Sequence, residues 1–450
     1  MRLKSKRAAW FYSLVVLPVL AMAQPPDSAR LTKHEFSIQQ AIDYANKNNV
    51  QVKNVLIDVL LQKETNRQIT SQAYPTITGS ANITNNLKLQ TVLLPGEIVG
   101  LPPGTFQPVT FGTKYITNAG VDLNQILFDG QVFVGLQARR TSIDWVQKNV
   151  EVTQEMIKTN IYKVYYQLLV SKTQIQLLDA NIELLKKQEH DAQIMYENGF
   201  ADKLSVNRAT VGVANLQTQK DKALAQVTNG YYGLKVLLGM PIKDQLVLTD
   251  TLSDAEIKEG VLENSVYDYK DRKDYQYLEL TRKFNEYNIR RYKLSKIPTL
   301  SLGASYNKQN QSNELKYNSD WYTASYVALR LSVPIFKGFY TNSKIAEAKL
   351  TVQKLDNQLE SLKINIDSEV ETARNNFRTA IAAMDYQKKN MELAETVYQQ
   401  TKKKYESGLA SSTDINSAQK DLQEAQTNYI NALYDAVVAK TDFLKATGKL

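Results

Sequence analysis

Residue types that ordinarily do chemistry are sparse in this chain and poorly placed for it. Only two histidines occur, His34 and His190, and cysteine is absent. So few leave little room for a histidine triad or a multi-histidine metal site. The missing thiols exclude disulfides, thiolate metal sites, a cysteine nucleophile and a lipid-modified N-terminal cysteine. Both histidines sit in polar sequence and read as solvated side chains. No Asp/Glu pair stands out from surface charge as an acid–base couple, and Lys402-Lys403-Lys404 reads as a solvated helix face. The expectation is a non-enzyme with no metal and no cofactor.

What does recur is a turn. Tyr196-Glu-Asn-Gly199-Phe200-Ala201 returns as Tyr405-Glu-Ser-Gly408-Leu409-Ala410, and the flanking sequence matches at a constant offset through Ala209 and Ala418. Each glycine interrupts a long run of helical periodicity. From Gln131 to Asn198 there is no proline and Gly135 is the only glycine, which predicts a rod of roughly 100 Å. Its apolar positions (Ile143, Val146, Val150, Ile157, Ile161, Val164, Leu168, Ile175, Leu178, Ile182, Leu185) step by three, four and seven, as a coiled-coil seam does. Ile345, Val352, Leu355, Leu359, Leu362, Ile366, Ala373, Phe377, Ile381 and Met384 repeat the seam. Helices over 131–198 and 338–406, returning antiparallel as 202–238 and 411–447, are therefore expected. Asp414 falls in the first turn of the last of these, where it complements the helix dipole with Ser411 or Ser412 as cap.

Strands are expected at the far end of each rod. Over 76–90, Ile77, Gly79, Ala81, Ile83, Leu87 and Leu89 share one face against Thr and Asn on the other; 115–129, 299–309 and 321–335 alternate the same way. Such runs suffice to cross a bilayer at a tilt, and polar-in, apolar-out alternation is what a lipid-embedded barrel needs. A sheet with one solvated face satisfies the same pattern. Tyr115, Phe128, Tyr306, Trp321, Tyr322 and Phe336 are read as lying near strand ends, as an interfacial aromatic belt would. Four strands cannot close a barrel alone. Either the chain associates, three copies giving twelve strands, or two hairpins sit on a soluble body.

The order of landmarks is doubled. Tyr74-Pro75-Thr76-Ile77 matches Ile297-Pro298-Thr299-Leu300, Phe128-Asp129-Gly130 matches Phe336-Lys337-Gly338, and Gly239 and Gly448 close the two copies. An α+β fold with an internal two-fold repeat follows. The expected divisions are 1–23 a signal peptide, 24–240 the first repeat, 241–262 a linker and 263–450 the second repeat. The leader carries Arg2, Lys4, Lys6 and Arg7, then an apolar core and Ala21-Met22-Ala23 as cleavage site. Its loss would lower the net charge from +9 to +5, too weak a bias to suggest nucleic acid.

With these landmarks the chain resembles the TolC family of outer-membrane efflux and secretion channels. Ile38-Gln-Gln-Ala41-Ile42-Asp-Tyr-Ala45-Asn-Lys-Asn48-Asn49 is similar to the family's leading-helix pattern, and both Tyr-x-x-Gly-x-Ala turns fit. Arg272-Lys273-Asp274-Tyr275 is a looser match to the second copy's usual Arg-Pro-Asp-Leu. The resemblance implies a homotrimer whose 12-strand outer-membrane barrel continues into a periplasmic α-barrel tunnel of long helical hairpins, with most of the mass in the periplasm of a Gram-negative bacterium. It implies external loops at 90–113 and 310–320 and a belt around the tunnel at 241–262. It also implies a passive exit channel of a tripartite efflux or type I secretion system, driven by an inner-membrane pump through a periplasmic adaptor (membrane fusion) protein. Tyr196, Gly199, Phe200, Ala201, Tyr405, Gly408, Leu409 and Ala410 would form the adaptor-docking tip, with Tyr405 and Asp414 as candidate pore constriction. The first tip has Ser205 where that acid would stand, and Ala410 replaces an arginine of the latch, so fewer charged contacts are expected to close it. The competing readings are a periplasmic adaptor, which would need lipoyl-like and β-barrel segments around one hairpin, and a structural coiled coil, which would not need long alternating strands.

Overall fold

The computed structural model describes residues 32–251, 257–258, 266–315 and 320–450. The expected signal peptide and parts of the 241–262 linker and the 310–320 loop lie outside the described residues.

The chain opens with β1 (Lys33–Phe36), α1 (Ile38–Asn48) and α2 (Val50–Ser71). β2 (Thr76–Asn85), a hairpin of β3 (Thr91–Pro95) and β4 (Phe106–Thr110), and β5 (Tyr115–Phe128) follow. The first rod pair is α3 (Gly130–Glu197) and α4 (Lys203–Leu238), succeeded by β6 (Gln245–Leu248). The second half runs α5 (Lys273–Leu294), β7 (Thr299–Ser312), β8 (Tyr322–Ser332), α6 (Tyr340–Glu406) and α7 (Ser412–Ala446).

Both predicted seams are buried or half-buried along their whole length; Ile161, Ile366, Phe377 and Met384 are fully enclosed. The α3 seam divides its partners. Near its start it packs on α2 and α5, where Trp145 stacks on Tyr277 and Phe284 and donates to Thr281 Oγ1 (2.8 Å). Toward its end it packs on α4 and α7, with Lys163–Asp442 at 2.7 Å and Asn181 donating to Gln426 at 2.9 Å. The lateral order is thus α2–α3–α5–α6 in one half and α4–α3–α7–α6 in the other. α2 and α4 always form one flank and α6 the other.

The tops of the two hairpins are pinned by one device. Gly239 and Gly448 are left-handed (φ 70° and 71°), and a Cβ would stand 2.4 Å from Asn48 O and 2.9 Å from the Asp271 backbone. Only glycine permits that approach. Beside them, Asn49 donates to Leu237 O (2.7 Å) and Arg272 to Ala446 O (3.1 Å), each carbonyl two residues before its glycine.

Four strands form an antiparallel sheet in the order β2-β5-β7-β8. The strands differ from expectation at their ends: β2 stops at Asn85, β7 runs on to Ser312 and β8 stops at Ser332, two residues before Pro334. Leu87, expected on the apolar face of the first strand, therefore stands outside it and is exposed. The span 90–113, read as loop, holds the β3–β4 hairpin. The linker contributes β6, which pairs in parallel with β1.

Candidate conduit and tips

The sheet's register sorts side chains into two faces. Ile77 pairs with Leu123, Leu123 with Ala304 and Ala304 with Val327; Ala81, Val121, Leu302, Leu329 and Leu331 belong to the same set. On the opposite face Thr78 pairs with Asp122, Asp122 with Ser305 and Ser305 with Tyr326; Ser80, Asn82, Asn118, Asn307, Gln309 and Arg330 join them. A one-residue slip between any two strands would mix the faces, and none does before the bulge between Ile126 and Phe128. Gly120 belongs to the polar face because Asn307 lies across it; a Cβ there would overlap the amide.

Among the described residues no helix covers either face of this sheet. Ile77, Val327, Leu329 and Leu331 are all more than 60% exposed. A globular sheet buries its apolar face under a second layer; this one leaves that face open. β7, at 14 residues, is about 45 Å long, or roughly 35 Å of height at a ~40° tilt. That exceeds the ~25 Å apolar band of a membrane barrel.

The aromatic residues divide accordingly. Tyr115 opens β5, Trp321 directly precedes β8 and Phe128 ends β5, where it packs on Phe133 at 5.6 Å. Phe336 lies just past β8 and meets Phe339 edge-on. Phe339 itself takes a left-handed conformation (φ 63°) as N-cap of α6 and is exposed. Tyr306 does not lie near a strand end: because β7 is longer than the pattern suggested, it sits at mid-strand, paired with Val121 and Ser325 on the apolar face. Tyr322 starts β8 but pairs with Gln309, which puts it on the polar face.

At the other end of the molecule the two glycine turns end their rods alike. Phe200 N donates to Met195 O (2.8 Å) and Gly199 N to Tyr196 O (3.1 Å); Leu409 N donates to Lys404 O (2.8 Å) and Gly408 N to Tyr405 O (3.0 Å). This paired closure requires a left-handed residue, here φ 78° and 74°. Phe200 and Leu409 project beyond the turns and are at least 80% exposed, with Ala201 and Ala410 following. Tyr196 lies under Lys203 Nζ at 5.1 Å, whereas Tyr405 packs against the cluster of Tyr398, Ile415, Ala418 and Leu422.

Asp414 accepts from Ser411 N (2.8 Å) and Oγ (2.7 Å), closing a capping box on α7. Those bonds hold its carboxyl below the usual carboxylate range. The first turn has the same pair in reverse: Asp202 is the cap, accepting from Ser205 N (2.9 Å) and Oγ (2.7 Å), and its carboxyl is likewise held low. Ser205 thus stands where the second tip has its acid, as its spacing from Gly199 indicates. The carboxylate is present three residues earlier, a swap the sequence displays once the cap position is fixed.

His34 is half-buried, with Nε2 3.1 Å from Thr32 Oγ1 and 3.5 Å from Asp244; His190 is exposed. Among the described residues no group of three or more His, Cys, Asp or Glu is placed to hold a metal, and no helix is long and apolar enough to cross a membrane.

The chain thus joins an uncovered two-faced sheet to long helical hairpins. Residues 272–449 match the family model described as outer membrane efflux protein. The outer membrane protein TolC of Vibrio cholerae serotype O1 is 20% identical over 339 residues, covering 74% of this chain and 77% of that protein. Among solved structures, CusC superposes with a TM-score of 0.75 at 16% identity, covering 98% of this chain and 99% of that one. The Campylobacter jejuni CmeC outer membrane channel gives 0.72 at 18% identity, covering 92% and 85%. In sequence and in fold the chain is therefore similar to outer-membrane channels of the TolC type.

Proposed function

We propose that the protein is the outer-membrane exit channel of a tripartite efflux or type I secretion system, formed by three copies closing head-to-tail. It is not an enzyme; it is a passive conduit from periplasm to exterior, with its sheet in the outer membrane and its helices in the periplasm of a Gram-negative bacterium.

One observation carries the reading: every layer of the subunit ends in the same two unsatisfied flanks. β2 and β8 are exposed at every residue, while β5 and β7 between them are largely half-buried. Free edges of this length are a liability unless paired. On the β2 side, α2 exposes Ile57, Leu60 and Leu61, and α4 exposes Val211 and Val236. On the β8 side, α6 exposes Leu350, Ile364 and Leu393. A heterologous contact that joins one flank to the other closes into a ring, and three copies of four strands give the twelve-strand barrel. The polar face, with Asp122 and Arg330, then lines the lumen, and the apolar face meets lipid.

The matched capping and pinning of the two hairpins support an internal two-fold repeat. The paired turns supply the periplasmic tip, where Phe200, Ala201, Leu409 and Ala410, beside the Gly199 and Gly408 closures and Tyr196 and Tyr405, form the docking surface for the adaptor. Tyr405 and Asp414 contribute to the constriction, Asp414 serving as cap at the same time. An inner-membrane pump engages through the adaptor.

Fractionation tests the whole reading. A detergent-extracted, heat-sensitive trimer in the outer membrane is expected; a soluble periplasmic monomer would overturn it. For the constriction, Asp414→Asn is expected to lower cation selectivity in planar bilayers, and unchanged selectivity removes Asp414 from the pore.

A further inference from the structure

The β3–β4 ribbon is apolar on both faces. Leu93 (61% exposed) and Phe106 (63%) stand on one, Val92 on the other, and Ile98 (70%) at the tip. From Leu89 to Thr113 the only charged residue is Glu97, whereas the other external connection, Asn313 to Trp321, carries Glu314, Lys316 and Asp320. A lone two-stranded ribbon is marginal in water at best, and an exposed apolar surface of this kind marks an interaction site.

Resting on the three-chain reading above, we infer that the ribbons of one trimer meet over the outer mouth of the barrel and pack on one another as an apolar plug. The ribbon rises from β2, the edge strand that the next subunit must join, so each ribbon stands beside an identical neighbour. Its reach is sufficient: five paired residues per arm give roughly 17 Å, against a radius near 12 Å for twelve strands tilted by ~40°. It leaves the barrel wall at a bend, where Gly112 (φ 116°) takes a conformation closed to other residues. Lys114 N, bonded to Asn313 Oδ1 at 3.1 Å, ties the base of the ribbon to the second connection. An anionic lipid surface is a poor alternative occupant, because the ribbon offers it no basic side chain.

The chain's lack of cysteine makes the test clean. Ile98→Cys in the full-length protein, oxidised with copper phenanthroline in dilute detergent, is expected to give disulfide-linked pairs within the trimer, reaching at most two of every three chains. Leu93→Asp combined with Phe106→Asp, both at exposed positions, is expected to raise single-channel conductance at least twofold in planar bilayers. A trimer by light scattering that gives neither pairs nor increased conductance overturns the plug and leaves the channel standing. Links that form only between particles and vanish on dilution overturn it too. Absence of any trimer overturns the channel reading first, and the plug with it.

Discussion

The two ends of the helical hairpins use glycine differently. At the top, Gly239 and Gly448 are held against another segment's backbone; at the tip, Gly199 and Gly408 have nothing within 4 Å of a Cβ. All four are left-handed, so the torsional requirement is common and only the surroundings differ. The top is a packed joint and the tip a free turn. The two halves differ as well, in the polar residue beside each joint. Asn49 is a neutral amide that also caps α2. Arg272 is a buried guanidinium that binds Asp274 through two nitrogens and Glu369 through one. One position in the architecture accepts different chemistry provided a donor reaches the carbonyl two residues before the glycine.

The largest expected effect breaks the top-versus-tip contrast. Gly239→Ala combines the left-handed cost with a backbone collision and is expected to lose about 3 kcal/mol. Gly199→Ala meets the torsional cost alone, about 1 kcal/mol. Thermal melts in detergent that fall equally for both would show that the top is no tighter than the tip. Next, Arg272→Ala strands Ala446 O and two carboxylates and is expected to cost about 2 kcal/mol, discounted because Glu369 and Asp274 reach solvent. Asn49→Ala should cost less, about 1 kcal/mol; the reverse ranking would mean the charged cluster does no more than the amide.

A smaller effect sharpens the comparison of the two tips. Ser411→Ala should cost about 1 kcal/mol as a lost cap. Installing the first tip's order at the second, with Ser411→Asp and Asp414→Ser together, should leave the melt within about 0.5 kcal/mol of the parent. A loss as large as that of Ser411→Ala would show the two arrangements are not equivalent.

The smallest effect is a titration. Tyr267 and Tyr269 both donate to Asp367, at 2.6 and 2.9 Å, and this bonding pushes Tyr267 up to about 12. The folded state then holds the proton more tightly than the unfolded chain. The contribution is complete below about pH 10, the ordinary tyrosine value, and is lost as pH rises toward 12. Tyr267→Phe should flatten that part of the stability profile; an unchanged alkaline slope would assign it elsewhere.

The rods, the glycine turns and the alternating faces were legible because each is a periodicity or a local torsional demand. Ile161 and Phe377 announce their burial by spacing alone. The β3–β4 ribbon was not legible, since Pro95, Gly96, Pro102, Pro103 and Gly104 punctuate its apolar residues and read as loop. β1 and β6 are four residues each, too short for alternation to register. The pins depend on contacts nearly two hundred residues apart, as between Asn49 and Leu237, which spacing cannot reveal. At the tips, the cap-and-acid swap was hidden by comparing column with column; Asp202 and Asp414 differ in position but meet the same orphan amides.

A helix fastened at one end and loose at the other is a lever. α4 has 36 residues and α7 35, each arm being about 53 Å long. Tilting such an arm by one degree about its fastened joint carries the far turn through roughly 1 Å. Two opposed turns of this kind would therefore part by roughly 2 Å for each degree while the joints at Gly239 and Gly448 scarcely shift.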